Sequence, residues 1–163
     1  MDNEIIKYRK VSEKDKEWIE SFIKSSWGSD LIVVHYDIYY PRELKGFIAE
    51  LNGQKAGLVT YKIKNEVCEI ITLNSIIENK GIGSELVKLV IEEAKIGNCK
   101  KVCLTTTNDN SRAINFYRKL GFYISAIRKN AVAGSRRIKP EIPFRNENGI
   151  PINDEIEFTI SLR

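Results

Sequence analysis

Hydrophobic and polar positions follow two periods along this chain, and each change of period marks an element. Glu4 to Arg9 reads as a short strand. Trp18, Ile19, Phe22 and Ile23 recur at helical spacing, with Ser12 placed as a cap and Asp15 at the third following position. That helix should fail near Trp27-Gly28. "LIVVHY", Leu31 to Tyr36, is apolar and β-branched, as in a strand or a lining segment.

Three strands then follow closely. "GFIAEL" and "KAGLVTYKI" flank Asn52-Gly53, a hairpin signal because both residues tolerate positive φ. Lys64-Asn65-Glu66 turns the chain into "VCEIITL", Val67 to Leu73. The period next becomes helical: Leu86, Val87, Val90, Ile91 and Ala94 share one face, and Gly97-Asn98 stops them. "KVCLTTT", Lys101 to Thr107, closes a βαβ unit and predicts a parallel pairing. A short helix over about residues 111–120 ends at Gly121. "FYISAIRKNAV" and "EIEFTISL" predict the last two strands, separated by a loop. The pattern describes one α+β domain over residues 1–163, with a mixed, mostly antiparallel sheet of about six to seven strands flanked by helices.

Composition narrows the function less than pattern does. At 163 residues the chain can bury a real core, and 42% hydrophobic with 29% charged residues is ordinary for a soluble protein. A net charge of +4 favours small anionic ligands but is too small to argue for nucleic acid. No stretch approaches the roughly 18 apolar residues of a membrane span, and Met1 to Glu4 does not begin a signal peptide. The three cysteines show no metal-ligand spacing; Cys68 and Cys103 read as buried thiols, and the cytoplasm is the expected compartment.

The candidate chemistry begins at "ENKGIGSELV". Glycines at a helix start let an anion approach unpaired backbone N–H groups. Gly81-Ile82-Gly83 lacks the third glycine of the dinucleotide fingerprint, where Leu86 stands, and lacks the Gly-Lys-Ser/Thr of an NTP-binding loop. Taken alone, it is a turn or a phosphate cradle.

With its surroundings the chain resembles the GCN5-related N-acetyltransferase (GNAT) superfamily. Glu78-Asn79-Lys80-Gly81-Ile82-Gly83 matches the signature Gln/Arg-x-x-Gly-x-Gly/Ala except at Glu78. Asn110, Ala113, Phe116, Tyr117, Gly121 and Phe122 match the pattern N-x-x-A-x-x-F-Y-x-x-x-G-F. The resemblance covers essentially the whole chain. It implies acetyl transfer from acetyl-CoA to a primary amine by direct attack, without a metal, and a parallel strand pair that splays at the coenzyme. A non-catalytic acyl-CoA-binding domain of the same fold is the alternative. Relatives are often dimers, so a homodimer is possible; no nucleic-acid or membrane partner is implied.

By that resemblance, Ile71, Thr72, Leu73 and Ser75 border the pantetheine slot, and the amides from Asn79 through Lys80, Gly81, Ile82 and Gly83 to Ser84 hold the pyrophosphate. Glu78 is expected to face solvent, with Asn110, Ala113 and Phe116 along the coenzyme. Tyr117 is the candidate proton donor, a phenol being protonated at neutral pH. Packing of Ala113, Phe116, Tyr117 and Leu120 on one helical face is its other reading. Glu69, set on the strand in one alternating set with Ile71 and Leu73, is the candidate base. Trp27 and His35 are acceptor-side candidates, His35 having a pKa suited to proton transfer. Arg136, Arg137 and Lys139 read as a solvated basic cluster.

Overall fold

Two hydrophobic layers lie on opposite faces of one sheet in the computed structural model, which describes residues 5–163. Glu4, the expected start of the first strand, lies outside them. The elements are β1 (Ile6–Lys10), α1 (Lys16–Trp27), β2 (Ile32–Val34), β3 (Asp37–Tyr39), β4 (Lys45–Leu51), β5 (Gln54–Lys64), β6 (Val67–Ser75), α2 (Ile82–Ile96), β7 (Lys101–Thr107), α3 (Ser111–Lys119), β8 (Tyr123–Arg128), α4 (Ala131–Ile138) and β9 (Glu155–Ser161). The strand order is β1-β4-β5-β6-β7-β9-β8, and β2 with β3 forms a separate hairpin. Among the seven strands only β6 and β7 pair in parallel.

The α2 face carries the larger layer. Ile82, Leu86, Val87, Val90 and Ala94 are buried against Val59, Tyr61, Cys68, Ile70, Val102 and Phe158. Truncating Val90 to Ala there removes buried methyl groups and costs roughly 1–3 kcal/mol. The helix sits close because β5 carries Gly57: a Cβ there would meet Ile82 Cγ2 at 2.8 Å. On the other face, Ile19 and Ile23 of α1 pack with Ile32, Ile48, Leu58 and Ile71. Asp15 anchors the start of α1 from below: its carboxylate accepts the Ser12 N–H at 2.8 Å and the Arg9 guanidinium at 2.7 and 2.8 Å. Those partners hold the buried Asp15 carboxyl well below its usual range. At the other end Gly28, with φ +79°, stops the helix where expected.

Two expectations change. The "LIVVHY" strand ends at Val34, because His35 and Tyr36 both take positive φ and turn the chain into β3. "FYISAIRKNAV" is not strand throughout. β8 stops at Arg128, Asn130 turns in the left-handed region, and α4 begins at Ala131. Its apolar Ala131 and Val132 are buried together with Ser135.

The basic cluster is likewise redistributed. The Arg136 guanidinium donates to the carbonyls of Ile142, Pro143 and Ile152, and the buried Lys139 ammonium donates to Leu31 O at 3.0 Å. Only Arg137 of the three is exposed. Arg136 and Lys139 therefore satisfy loop carbonyls that no strand or helix pairs.

Candidate active site

β6 and β7 pair from Val67↔Lys101 to Ile70↔Leu104 and then part, although both continue. The parting opens the sheet at one place. β6 is also irregular there. Thr60 pairs with Thr72 and Tyr61 with Ile70, so Ile71 is one residue extra to its partner strand.

That extra residue reverses the facing expected from simple alternation. Glu69 and Ile71 look toward α1, where Ile71 is buried, but Leu73 packs with the α2 layer. Thr72 is buried with its hydroxyl 2.6 Å from that of Thr60. The side chains of Ile71 and Thr72 thus turn away from the coenzyme-side cavity, and Glu69 does not share a face with Leu73. A bulge has no signature in the residues themselves, since "CEIITL" is equally apolar in either phase.

On the α2 side a cavity of about 540 Å³ runs from the parted strands to the start of α2. Leu73, Asn74 and Ser75 of β6 form one wall, the loop residues Ile77, Glu78 and Asn79 lead to Gly81–Ser84, and Asn110, Arg112, Ala113, Phe116 and Tyr117 come from α3 and its cap. Of the expected coenzyme residues, Ile71, Thr72 and Lys80 do not line it. Asn74, Ile77 and Arg112 are additions that motif matching missed; position in the first turn of α3, two residues after the Asn110 cap, was the available signal for Arg112.

The cradle has the geometry of an anion site. Asn79 (φ 62°) and Gly81 (φ 70°) take left-handed conformations, which turn successive N–H groups toward one side. The first helical bond of α2 is Glu85 N–H to Gly81 O at 3.1 Å, so the N–H groups of Ile82, Gly83 and Ser84 precede the ladder. A Cβ at Gly83 would stand 3.4 Å from Phe116 Cζ, narrowing the space between α2 and α3. This donor set fits a diphosphate ester such as the one in coenzyme A.

Asn110 caps α3 by accepting the Ala113 N–H at 3.1 Å, which leaves its amide NH₂ to donate elsewhere. Glu78 does not simply face solvent: its carboxylate is paired with Arg112 at 2.8 Å.

Tyr117 lies at the inner part of the cavity, only 7% exposed. Its ring packs on Phe116, Phe122 and Phe158. Its hydroxyl has no hydrogen-bond partner among the described residues, and burial raises its pKa above the ordinary phenol value of 10.0. The Tyr117 ring is therefore part of the core, and the residue also lines the cavity.

Glu69 opens on the opposite face into a second cavity of about 310 Å³, with Asp37, Tyr39, Lys62, Lys64 and Cys103 around it. The Tyr39 hydroxyl donates to Glu69 Oε1 at 2.9 Å. Burial raises the Glu69 pKa, and the Tyr39 bond opposes the rise only in part. Cys103 and Cys68 are buried free thiols, pushed by burial up to about 12, so neither is a ready nucleophile. Trp27, at the end of α1, donates its indole N–H to Asn74 Oδ1 at 3.3 Å. His35, exposed at the β2–β3 turn, lines neither cavity.

A parallel pair that parts, a bulge beside it and a glycine-led helix start thus lie together with Tyr117 around one part of the sheet. The chain belongs to the Acetyltransferase (GNAT) family, whose profile matches residues 13–122. It is 46% identical over 145 residues to the uncharacterized protein YdhI of Bacillus subtilis (strain 168), covering 88% of this chain and 91% of that one. It is 31% identical over 114 residues to the spermidine N(1)-acetyltransferase of Escherichia coli (strain K12), covering 67% and 58%. Among solved structures, a GNAT family acetyltransferase from Elizabethkingia anophelis with acetyl-CoA bound is similar at TM-score 0.67 and 25% identity, over 96% of this chain and 98% of that one.

Proposed function

We propose that this protein transfers an acetyl group from acetyl-CoA to a primary amine by direct attack. The observation that carries this reading is the cavity that joins Ile82, Gly83 and Ser84 at the start of α2 to Leu73, Asn74 and Ser75, where β6 has parted from β7, with Tyr117 in its wall.

Acetyl-CoA supplies the activated thioester. The chain's own groups hold it, admit the amine and move two protons. The amides at the start of α2 bind the diphosphate without a side-chain requirement. The Asn110 amide NH₂ and the β6 backbone beyond Ile70, released from pairing with β7, offer further donors along the slot. An amine must lose its proton to attack, and the departing sulfur must gain one. Glu69 and Tyr117 lie on opposite faces of the sheet beside the opening, which matches the separate places where those protons leave and arrive. The raised Tyr117 pKa keeps its hydroxyl protonated and able to donate at neutral pH.

Release of free thiol, followed with acetyl-CoA and a panel of amines, tests this directly. Turnover above the hydrolysis background with at least one amine is expected. Tight CoA binding with no turnover on any amine favours the non-catalytic acyl-CoA-binding domain instead.

A further inference from the structure

The hydroxyls of Thr60 on β5 and Thr72 on β6 lie 2.6 Å apart on the α1 face of the sheet, one donating to the other. Both residues are buried, at 0% and 2% exposure. Neither hydroxyl has another hydrogen-bond partner among the described residues. The hydrophobic layer on that face includes Ile48, Leu58 and Ile71. A hydroxyl buried in such surroundings is unfavourable unless another polar atom meets it.

The pair stands at the first regular position after the bulge, where Tyr61 pairs with Ile70 and Thr60 with Thr72. In a ladder continued from Tyr61↔Ile70 without the extra residue, Thr60 would meet Ile71 and Val59 would meet Thr72. Side chains opposite each other share a face, so Thr72 would turn with Val59 into the α2 layer. Both hydroxyls would then be buried without each other. The same step would turn Asn74 away from Trp27, whose indole N–H it accepts at 3.3 Å. Ile71 and Leu73 enter one layer or the other in either ladder, so apolar burial does not choose between them. The hydroxyl pair does.

The choice of ladder reaches beyond packing. Backbone N–H groups of a strand point alternately toward its two neighbours, and an extra residue shifts that alternation. β6 loses β7 after Ile70↔Leu104, so beyond it the bulge decides which N–H groups face the opening. Such an N–H is the donor that an acyl carbonyl in the slot would meet.

We propose that the Thr60–Thr72 hydroxyl pair is a positioning element, which fixes the bulge at Ile71 and so sets the β6 N–H groups that face the acyl carbonyl. The proposal rests on the acetyl-CoA reading for the ligand in the slot. Neither threonine lines the coenzyme-side cavity, so both act through the backbone.

The test uses acetyl-CoA and S-ethyl-CoA, which differ by one carbonyl oxygen, in calorimetric binding without any amine. The wild type should favour acetyl-CoA by about fivefold, the scale of one hydrogen bond. Thr60→Val with Thr72→Val removes both hydroxyls together, so the melting temperature should stay near that of the wild type. The preference should nevertheless fall to within about twofold of unity, and the NMR amide signals of residues 71–73 should shift or double as the second ladder is populated. Should the double-valine chain not fold, Thr60→Ala with Thr72→Ala reads the same two quantities. Thr60→Ser with Thr72→Ser keeps both hydroxyls and should keep the preference. An undiminished preference and unchanged signals without the hydroxyls overturn the proposal. So do equal affinities in the wild type, or loss of the preference in the serine variant. A hydroxyl-dependent preference without turnover on any amine supports the positioning role and counts against acetyl transfer; turnover by a wild type that lacks the preference does the reverse.

Discussion

Glu78, the one residue that departs from the glycine signature, is held by Arg112 at 2.8 Å across the mouth of the coenzyme-side cavity. The pair ties the loop before α2 to the first turn of α3. It cancels the carboxylate charge where an anion has to enter, and it keeps a guanidinium beside the cradle.

Both partners are exposed, so the pair itself contributes little to stability. Its effect belongs to ligand binding. Glu78→Gln frees Arg112 for a phosphate and should tighten CoA roughly two- to fivefold at low salt, less at high salt. Arg112→Gln should weaken CoA by a similar factor. Titration calorimetry at two salt concentrations reads both; a weaker complex in Glu78→Gln contradicts this account.

Tyr117 separates packing from chemistry. Phe keeps the ring contacts with Phe116, Phe122 and Phe158, so Tyr117→Phe should leave the melting temperature and CoA affinity nearly unchanged. Turnover should fall about 100-fold or more, the scale of lost general-acid catalysis. Equal turnover in the variant removes the proton-donor role.

Glu69 makes opposite predictions for stability and rate. Burial raises its pKa in the folded protein above the ordinary 4.5, so the folded state binds this proton more tightly than the unfolded chain. Its stabilising contribution is complete below 4.5 and is lost as pH rises through the raised value. A base must be ionised, so kcat/KM should rise across that same window. Glu69→Gln should flatten this part of both profiles and lower the rate, as melts and initial rates over a pH series will show.

Gly134→Ala tests the seating of the β2–β3 turn. The new methyl group would overlap the Tyr36 ring, at 2.2 Å from Cε1. Overpacking of this kind costs roughly 1–3 kcal/mol unless the neighbour moves. Tyr36 is exposed at its outer side, so displacement of the turn is expected, visible as faster amide exchange at His35 and Tyr36. Unchanged exchange and stability would show that the contact does not hold the turn.

Most of the sheet was legible because its signals are local. Asn52-Gly53 marks a hairpin in residue types alone, and the α2 stripe from Leu86 to Ala94 repeats at helical spacing. Of the residues lining the α2-side cavity, Glu78, Gly81, Gly83, Asn110, Ala113, Phe116 and Tyr117 are motif positions, whereas Asn74, Ile77 and Arg112 are not. What was missed depends on tertiary contacts. The bulge at Ile71 is set by pairing with β5, not by composition, and it puts Leu73 on the α2 face and Thr72 beside Ile71 on the other. α4 hides in "NAVAGSRRI", where Ala and Val fit a strand as well as a buried helix face. Arg136 and Lys139 looked solvated because the loop carbonyls they satisfy are distant in sequence.

The parting of β6 and β7 beyond Ile70 and Leu104 has a further consequence. The residues around the α2-side cavity and those around the Glu69 cavity lie in separate layers, joined across the sheet by backbone and by the Trp27–Asn74 hydrogen bond. Substitutions on β2, β3, α4 or the inner face of β9 can therefore reshape that side of the sheet while leaving the Gly81–Ser84 turn intact. Mutational drift on one side need not be compensated on the other, so a single donor chemistry can be inherited while the acceptor diverges.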